Sequence, residues 1–325
     1  MQRLVITGGT GTLGRSLVDS LFHSHPNIAD EIVILSRNEQ LQHQMAEQFP
    51  ADVRFVIGDV RDLDALRGVL RADDVVIHAA AIKHIDISEM YPEEAIKTNV
   101  MGAMNLVQVA KEKGISKLLA VSSDKACNPN STYGTTKLLA ERIFVQANES
   151  SQVRFANVRF GNLIGSSGSV FHRWKTQRDQ EAPVTITDSA MTRFFMTAAS
   201  ASDFIFDVLG VMQGGEVFIP KIYSFKIADI ACFMTGKIPV EIGLRLGEKL
   251  HEELISDAER VNVCEFTDYW VVEPSHPRWS YTMLRSGALV DAVVSSSHRT
   301  LEERDEKTLK YALQPSEFRR FLLKF

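Results

Sequence analysis

The chain has 325 residues, 45% of them hydrophobic and 24% charged, which is typical of a globular protein with a sizeable core. Its net charge of −5 gives no electrostatic reason to expect binding to nucleic acid or to an anionic membrane surface. No apolar run is long enough to span a membrane, and a strand at the N-terminus leaves no room for a signal peptide. The three scattered cysteines form no metal-binding cluster and fit a reducing cytoplasm.

Short apolar runs alternate with amphipathic stretches through the first 160 residues. The apolar runs predict strands at 3–7, 32–35, 53–57, 74–78, 117–121 and 153–159. The stretches between them predict helices at about 12–24, 39–48, 62–70, 93–113 and 134–148. Because strands that are apolar throughout are covered on both faces, this alternation predicts an α/β Rossmann fold with a doubly wound parallel sheet.

The regular alternation is lost after residue 160. The patterns there predict, in order, a loop at 165–169, a helix at 170–178, a strand at 184–187, a helix near 200–210 and a strand near 216–219. We expect a dinucleotide-binding domain over 1–162, with its sheet completed by about 188–220. Residues 163–325 are expected to form mostly a smaller, mixed α/β substrate-binding lobe that is built from non-contiguous segments.

The first predicted strand runs into a glycine-rich turn that begins the first helix. Gly8 permits the tight turn, Gly11 lets the backbone approach a pyrophosphate, and Gly14 lets the helix pack close to the strand. The placement of this turn between strand and helix predicts a dinucleotide site. The contacts expected from the turn are Gly8, Thr10, Gly11, Thr12, Leu13 and Gly14.

The end of the second strand indicates which dinucleotide is bound. An NAD site usually offers a carboxylate there, whereas this chain has Ser36 and Arg37, and a guanidinium suits a 2′-phosphate. We therefore expect NADP, the alternative being that Arg37 is only a solvated arginine. The cofactor contacts expected further along the chain are Asp59, Val60, Ala79, Ala80, Ala81, Lys83 and Asn99.

The segment after the fifth strand carries most of the candidate catalytic residues. Tyr133 and Lys137 share a helix face, so the ammonium can lower the pKa of the phenol and prepare it to take a proton from an alcohol. Ser123, Asp124 and Lys125 precede this pair. Because alcohol oxidation does not need the additional acid and base, they indicate a second chemical step, the alternative being a salt-bridged pair on a solvated turn.

The glycine spacing and the Tyr-x-x-x-Lys pair resemble the extended short-chain dehydrogenase/reductases. Within them, several strings resemble the soluble, inverting UDP-N-acetylglucosamine 4,6-dehydratases of polysaccharide and pseudaminic-acid biosynthesis. The strings are Gly58-Asp-Val-Arg-Asp62, His78-Ala-Ala-Ala-Ile-Lys83, Ile96-Lys-Thr-Asn-Val-Met-Gly102, Ser122-Ser-Asp-Lys-Ala126, Val158-Arg-Phe-Gly-Asn162, Met191-Thr-Arg-Phe194, Met212-Gln-Gly-Gly-Glu216 and Leu246-Gly-Glu-Lys-Leu-His251. The resemblance covers about residues 1–255, and it departs at Ser123, where the family usually has threonine.

The resemblance implies a complete reaction with a tightly bound, recycled NADP. Tyr133 and Lys137 oxidise C4 of the sugar, Lys125 removes the C5 proton, and Asp124 protonates the leaving 6-hydroxyl. Hydride then returns to C6, which gives a 4-keto-6-deoxy sugar with C5 inverted. Burial is expected to keep Lys125 neutral and Asp124 protonated.

The resemblance also implies which residues bind the UDP-sugar. Arg193, Arg245 and Lys249 are expected at the diphosphate, Asn162 at the nucleotide sugar, and Lys83 at the sugar or a cofactor phosphate. Relatives assemble as homo-oligomers, either dimers or hexamers, and no metal is expected.

Two alternative functions remain open. A UDP-sugar epimerase or a 4-keto reductase would use Tyr133 and Lys137 without the acid–base pair that precedes them, and a non-catalytic nucleotide-binding protein would need neither. The three histidines at His78, His84 and His251 have no evident partner in the sequence, so they are not expected in the site.

Overall fold

The computed structural model describes residues 3–49, 53–284, 291, 293–296, 299 and 309–323. The first half contains β1 (Arg3–Thr7), α1 (Thr12–His23), β2 (Glu31–Ser36), α2 (Glu39–Ala46), β3 (Val53–Ile57), α3 (Leu63–Val69), β4 (Val75–His78), α4 (Ile85–Met90), α5 (Pro92–Ala95), a π-helix (Ile96–Met101), α6 (Gly102–Lys113), β5 (Lys117–Val121), a 3₁₀-helix (Asp124–Ala126), α7 (Thr132–Ala147), a 3₁₀-helix (Asn148–Ser150) and β6 (Arg154–Val158).

The second half has shorter elements. It contains β7 (Asn162–Leu163), α8 (Val170–Asp179), β8 (Thr185–Ile186), β9 (Thr192–Met196), α9 (Ala198–Val211), β10 (Val217–Pro220), β11 (Ser224–Lys226), α10 (Ile227–Thr235), β12 (Val240–Glu241), β13 (Glu253–Ile255), a 3₁₀-helix (Arg260–Asn262), β14 (Val263–Glu265), β15 (Tyr269–Val272), β16 (Val293–Val294) and α11 (Pro315–Leu322). None of the helices in the described ranges is long and apolar enough to cross a membrane.

The large sheet confirms the predicted doubly wound Rossmann architecture. Among the described residues its strand order is β14-β15-β10-β6-β5-β4-β1-β2-β3, and the strands from β10 to β3 are parallel. Alternating residues of β1 explain why both faces are covered: Leu4 and Ile6 pack towards α1 and α9, whereas Val5 packs towards α3 and α6. Each of these side chains is fully buried, and such burial stabilises the fold by roughly 1.5–3 kcal/mol per residue.

The structure differs from the sequence expectation in three places. Residues 93–113 do not form one helix, because a π-helix over Ile96–Met101 interrupts the α-helical turns. The strand β9 and the helix α4 are additional elements. Residues 263–272, which were expected in the smaller lobe, extend the large sheet as β14 and β15 and cover the edge of β10.

A buried arginine connects the helix α7 to the second lobe. All five N–H donors of Arg159 are used, by the carboxylates of Glu141 on α7 and Glu259 and by the Leu254 carbonyl. The Nη2 atom lies 2.7 Å from Glu141 Oε2 and 2.8 Å from Glu259 Oε1. The helix that carries Tyr133 is thereby fixed to the chain segment that follows β13.

Candidate active site

The carboxyl edge of the large sheet opens into a cleft of about 880 Å³. One wall consists of the turns that follow β1, β2, β3 and β4, and the other comes from the chain after β6 and from the segment before β13. Most predicted site residues line this cleft: Gly8, Thr10, Gly11, Thr12, Leu13, Gly14, Ser36, Arg37, Asp59, Val60, Ala79, Ala80, Ala81, Lys83, Ser123, Lys125, Tyr133, Lys137, Asn162, Arg193 and Arg245. Asn99, Asp124 and Lys249 are not among the residues that line it.

The glycine-rich turn has no space for side chains at two positions. Gly8 has a φ of +69°, and a Cβ atom there would lie 2.6 Å from the backbone nitrogen of Ala80. A Cβ atom on Gly14 would overlap the backbone of Gly9. The turn therefore brings bare backbone and the N-terminus of α1 to the cleft, and this arrangement fits a pyrophosphate.

Arg37 lies on the cleft wall beyond the end of β2, and its side chain is 56% exposed. Its Nη1 atom is 3.7 Å from Asp59 Oδ2, whereas Arg61 binds the same oxygen at 2.7 Å. Burial raises the pKa of Asp59, but the hydrogen bonds and charge of Arg61 and the charge of Arg37 outweigh this effect and lower it. Because Arg61 already neutralises the carboxylate, Arg37 is held only loosely and faces the cleft.

Asn99 binds the protein backbone and not the cleft. Its Oδ1 accepts from the Ile82 nitrogen at 2.9 Å, and its Nδ2 donates to the Ile82 carbonyl and to Thr136 Oγ1 at 3.0 Å. The preceding residue, Thr98, lines the cleft from within the π-helix. Of the two residues, Thr98 and not the expected Asn99 lines the cleft, because the wider π turn changes which side chain faces it. The sequence carried no signal for that turn.

Tyr133 and Lys137 lie on the first two turns of α7. Ser131 is the N-cap of this helix, and its Oγ accepts a hydrogen bond from the Gly134 nitrogen at 3.1 Å. The Lys137 ammonium donates to the Val121 carbonyl at 2.6 Å, and burial lowers its pKa to about 8. Burial also raises the pKa of Tyr133, while the charge of Lys125 and the Ser123 hydroxyl lower it. The expected net lowering by Lys137 is therefore wrong for this structure, because desolvation of the phenolate dominates.

Asp124 and Lys125 form a buried pair, not an ion pair on a solvated turn. Asp124 is fully buried, and its Oδ1 accepts from Ser123 Oγ at 2.7 Å and from Lys125 Nζ at 3.0 Å. Its Oδ2 has no hydrogen-bond partner within the described part of the chain. Lys125 Nζ also donates to Asn162 Oδ1 at 3.1 Å. The ammonium lines the cleft, and the carboxyl group lies directly behind it.

The charge state of Lys125 differs from the sequence expectation. Burial lowers its pKa, but the carboxylates of Asp124 and Glu252 raise it by more, so the net shift is upward. Glu252 Oε1 lies 3.5 Å from Lys125 Nζ. The expectation that burial keeps the amine neutral is wrong, because two acids face the same cation. Glu252 was not identified from the sequence, where it is one of two adjacent glutamates.

Arg193 and Lys249, which were expected at the diphosphate, both bind backbone carbonyls. Arg193 is buried, and it donates to the carbonyls of Thr192, Leu250 and Lys249 at 2.8–3.1 Å. Lys249 Nζ donates to the Cys127 carbonyl at 2.6 Å. Both side chains therefore fix the segment before β13, and three of the five donors of Arg193 are used by carbonyls.

Arg173 is a second arginine that lines the cleft together with Arg245. Arg173, on the first turn of α8, lines the cleft, and partial burial together with the charge of Arg245 lowers its pKa. The sequence analysis missed this residue. Its position one turn after the glycine and serine loop at 165–169 was the available signal, because the start of a helix favours anions.

The loop at 165–169 contacts both sides of the cleft. The Ser167 nitrogen donates to Thr12 Oγ1 at 3.2 Å, and Lys83 Nζ donates to the Ser167 carbonyl at 2.9 Å. His84, which was left outside the site, lines the cleft against Gly168, where a Cβ atom would lie 2.5 Å from its Cε1. Lys83 thus supports the loop.

The chain matches the family described as polysaccharide biosynthesis protein over residues 4–274. It belongs to that family. It is 43% identical over 283 residues to a UDP-N-acetylglucosamine 4,6-dehydratase (inverting) of Campylobacter jejuni, covering 84% of this chain and 83% of that protein. It is also 34% identical over 281 residues to a UDP-glucose 4-epimerase of Rickettsia bellii, covering 83% and 82%.

Solved structures confirm the α/β architecture with its large parallel sheet. The protein Pen from Bacillus thuringiensis aligns with a TM-score of 0.86 at 30% identity, over 100% of this chain and 98% of that one. The dTDP-glucose 4,6-dehydratase DesIV from Streptomyces venezuelae aligns with a TM-score of 0.69 at 24% identity, over 77% and 87%, and shows the shared fold alone.

In the described part of this family member, three residues that line the cleft have buried hydroxyl groups without a hydrogen-bond partner. Among the described residues, Thr98 Oγ1, Ser122 Oγ and Ser169 Oγ are buried without a hydrogen bond, and all three residues line the cleft. Buried polar groups without partners are costly. The cleft is therefore suited to a polar ligand that supplies the missing hydrogen bonds.

Proposed function

We propose that the chain is an NADP-dependent UDP-N-acetylglucosamine 4,6-dehydratase that inverts C5. The observation that carries the proposal is the buried Asp124–Lys125 pair beside the Tyr133–Lys137 pair, at one end of a dinucleotide-sized cleft. The 43% identity to a dehydratase of that name supports it. The resemblance further supports a cytoplasmic homo-oligomer, either a dimer or a hexamer.

The cofactor would lie along the glycine-rich turn, with its pyrophosphate at the N-terminus of α1. Arg37 would bind the 2′-phosphate, which is why NADP is proposed in preference to NAD. When bound, the nicotinamide takes a hydride from C4 of the sugar and later returns it to C6.

In the first step, Tyr133 takes the proton of the sugar 4-hydroxyl. The phenolate needs nearby positive charge because burial alone opposes it, and Lys125 and Lys137 both lie at this end of the cleft. Loss of the C4 hydrogen as hydride leaves a ketone at C4. The ketone acidifies the C5 hydrogen, because the carbanion formed there is an enolate.

The second step uses the hydrogen bond between Lys125 and Asp124. Transfer of one proton from Lys125 Nζ to Asp124 Oδ1 over 3.0 Å produces the neutral amine and the protonated acid together. The amine then takes the C5 proton. The acid passes its proton to the 6-hydroxyl through Ser123 Oγ, which is hydrogen-bonded to Asp124 Oδ1 at 2.7 Å and belongs to a residue that lines the cleft, and the hydroxyl leaves as water. After hydride returns to C6, solvent water supplies a proton to C5 from the opposite face, and this inverts that centre.

The sugar nucleotide would be held from the second lobe. Arg173 and Arg245 supply two guanidinium groups for the diphosphate, and Asn162 lies next to the proposed base. Arg193 supports this region by fixing the backbone of the segment before β13.

The deciding experiment incubates the purified protein with UDP-N-acetylglucosamine without added reductant. The expected product has lost the mass of one water, and in deuterated water it carries deuterium at C5, with the configuration given by proton NMR. An unchanged mass, or a requirement for stoichiometric NADPH, would overturn the proposal.

The matched variants are Lys125→Ala and Lys175→Ala. The first should abolish both water loss and C5 deuteration, because the base is gone. The second removes an exposed lysine that pairs with Asp179 and should leave the rate unchanged. Normal turnover by Lys125→Ala would show that the base has been misassigned.

A second candidate function is a UDP-sugar 4-epimerase, which the 34% identity to proteins of that name favours. It would need Tyr133 and Lys137 but not Asp124 or Lys125. The same incubation separates the two, because epimerisation changes the C4 configuration at constant mass.

A further inference from the structure

Glu252 is a buried acid that lies behind the proposed base and does not line the cleft. Its Oε1 is 3.5 Å from Lys125 Nζ and 3.7 Å from Arg193 Nε, and its Oε2 is 4.0 Å from Lys249 Nζ. We propose that Glu252 is a positioning residue for C5 deprotonation, which holds Lys125 in place and sets the pH range in which it acts. This inference rests on the proposed dehydration.

The backbone around Glu252 is fixed on both sides. Its nitrogen donates to Ser295 Oγ at 2.8 Å, and its carbonyl accepts from the Ser295 nitrogen at 2.8 Å. Arg193 holds the preceding carbonyls of Lys249 and Leu250. The carboxylate consequently meets Lys125 from a rigid support, and this suits a group that has to orient another side chain.

Lys125 is held from three directions. Asp124 Oδ1 and Asn162 Oδ1 accept hydrogen bonds from its ammonium, and Glu252 attracts it from the second lobe. An ammonium has three donors, so these acceptors define where the nitrogen lies. Glu252 is the only one of the three that belongs to the segment before β13, which also contains Arg245.

The charges that face Lys125 come from every element packed around it. Asp124 lies on its own 3₁₀-helix, Tyr133 on α7, Arg193 on β9 and Glu252 before β13. Arg193 disfavours the ammonium form, and the two carboxylates favour it. Removing the Glu252 charge leaves the opposing cation in place, so Lys125 loses its proton at lower pH.

The test measures water loss and C5 deuteration as a function of pH for wild type, Glu252→Gln and Glu253→Gln. The Lys125–Asp124 pair acts only while it holds one proton, so the rate falls at alkaline pH when that proton is lost, and in Glu252→Gln this fall should begin at lower pH. The KM for the nucleotide sugar should stay within about twofold, because Glu252 does not touch the substrate. Glu253 is the matched control: it is the adjacent acid and binds Asn128, so its profile should match wild type.

Glu252→Asp separates positioning from structural damage. It keeps the charge but shortens the side chain, so the alkaline fall should stay near the wild-type pH while kcat decreases by up to about 10²-fold. An unmoved profile in Glu252→Gln, or an Asp variant that behaves like the Gln variant, would overturn the inference. If wild type releases no water at any pH, the proposed function itself fails.

Discussion

Replacing Glu259 with glutamine should destabilise the protein by about 3 kcal/mol at neutral pH. Burial raises the pKa of the Glu259 carboxyl, but the charge and hydrogen bonds of Arg159 outweigh it and hold the pKa at about 2, against an ordinary value of 4.5. The expected loss of unfolding free energy follows from this difference between the two pKa values. The neutral amide also leaves Arg159 buried with only Glu141 as a counter-charge.

The pH dependence has a defined sign. Because the folded-state pKa of Glu259 lies below 4.5, its contribution is complete above about that pH and is lost as the pH falls towards 2. Urea unfolding at neutral pH should therefore separate wild type from Glu259→Gln by the full amount. Near pH 3 the two should be closer together.

The matched control is Glu112→Gln. The pKa of Glu112 is also about 2 because of hydrogen bonds from Arg67 and Gln108, yet this group is exposed and screened by solvent, so its loss should change stability little. Equal effects of the two substitutions, or a Glu259→Gln effect that does not vary with pH, would refute the reasoning that burial makes the Arg159 pair strong.

Three further outcomes are expected. Arg37→Ala should weaken NADP binding by about 10–100-fold and leave NAD binding nearly unchanged in equilibrium titrations, whereas Arg54→Ala, on the neighbouring strand, should alter neither. Activity should decline above pH 8 as Lys137 loses its charge, and Lys137→Arg should move that decline to higher pH in initial-rate profiles. Gly8→Ala should abolish dinucleotide binding measured by titration, because the new Cβ would lie 2.6 Å from the Ala80 nitrogen.

The dinucleotide half of the fold could be predicted from the sequence because its signals are local. The apolar runs at 3–7 and 117–121 coincide with β1 and β5, since strands buried on both faces have no polar alternation. The run at 53–57 coincides with the edge strand β3, which is only partly buried. The sequence signals for the glycine-rich turn and for the helix that carries Tyr133 are also local. Each needs only residue types at fixed spacing.

The remainder of the site depends on contacts between distant segments. Glu252 meets Lys125 across 127 positions of the chain, and no local pattern distinguishes it from Glu253. Arg193 was predicted at the diphosphate because it lies in a string that resembles the family. Its donors bind the backbone carbonyls of Lys249 and Leu250, which are close to it only in the folded chain. Thr98 lines the cleft and Asn99 does not, because the π turn alters the helical phase, which composition does not reveal.

The bridge from Thr12 through Ser167 to Lys83 has a kinetic consequence. Two ordinary hydrogen bonds at 3.2 and 2.9 Å contribute about 2 kcal/mol together. Both would therefore be broken in roughly one molecule in thirty at any moment. The exchange rate of a ligand bound in the cleft would be reduced to that fraction of its value without the two hydrogen bonds. For the dehydratase proposed above, in which hydride returns to the sugar before the product leaves, slow exchange of NADP would not limit turnover.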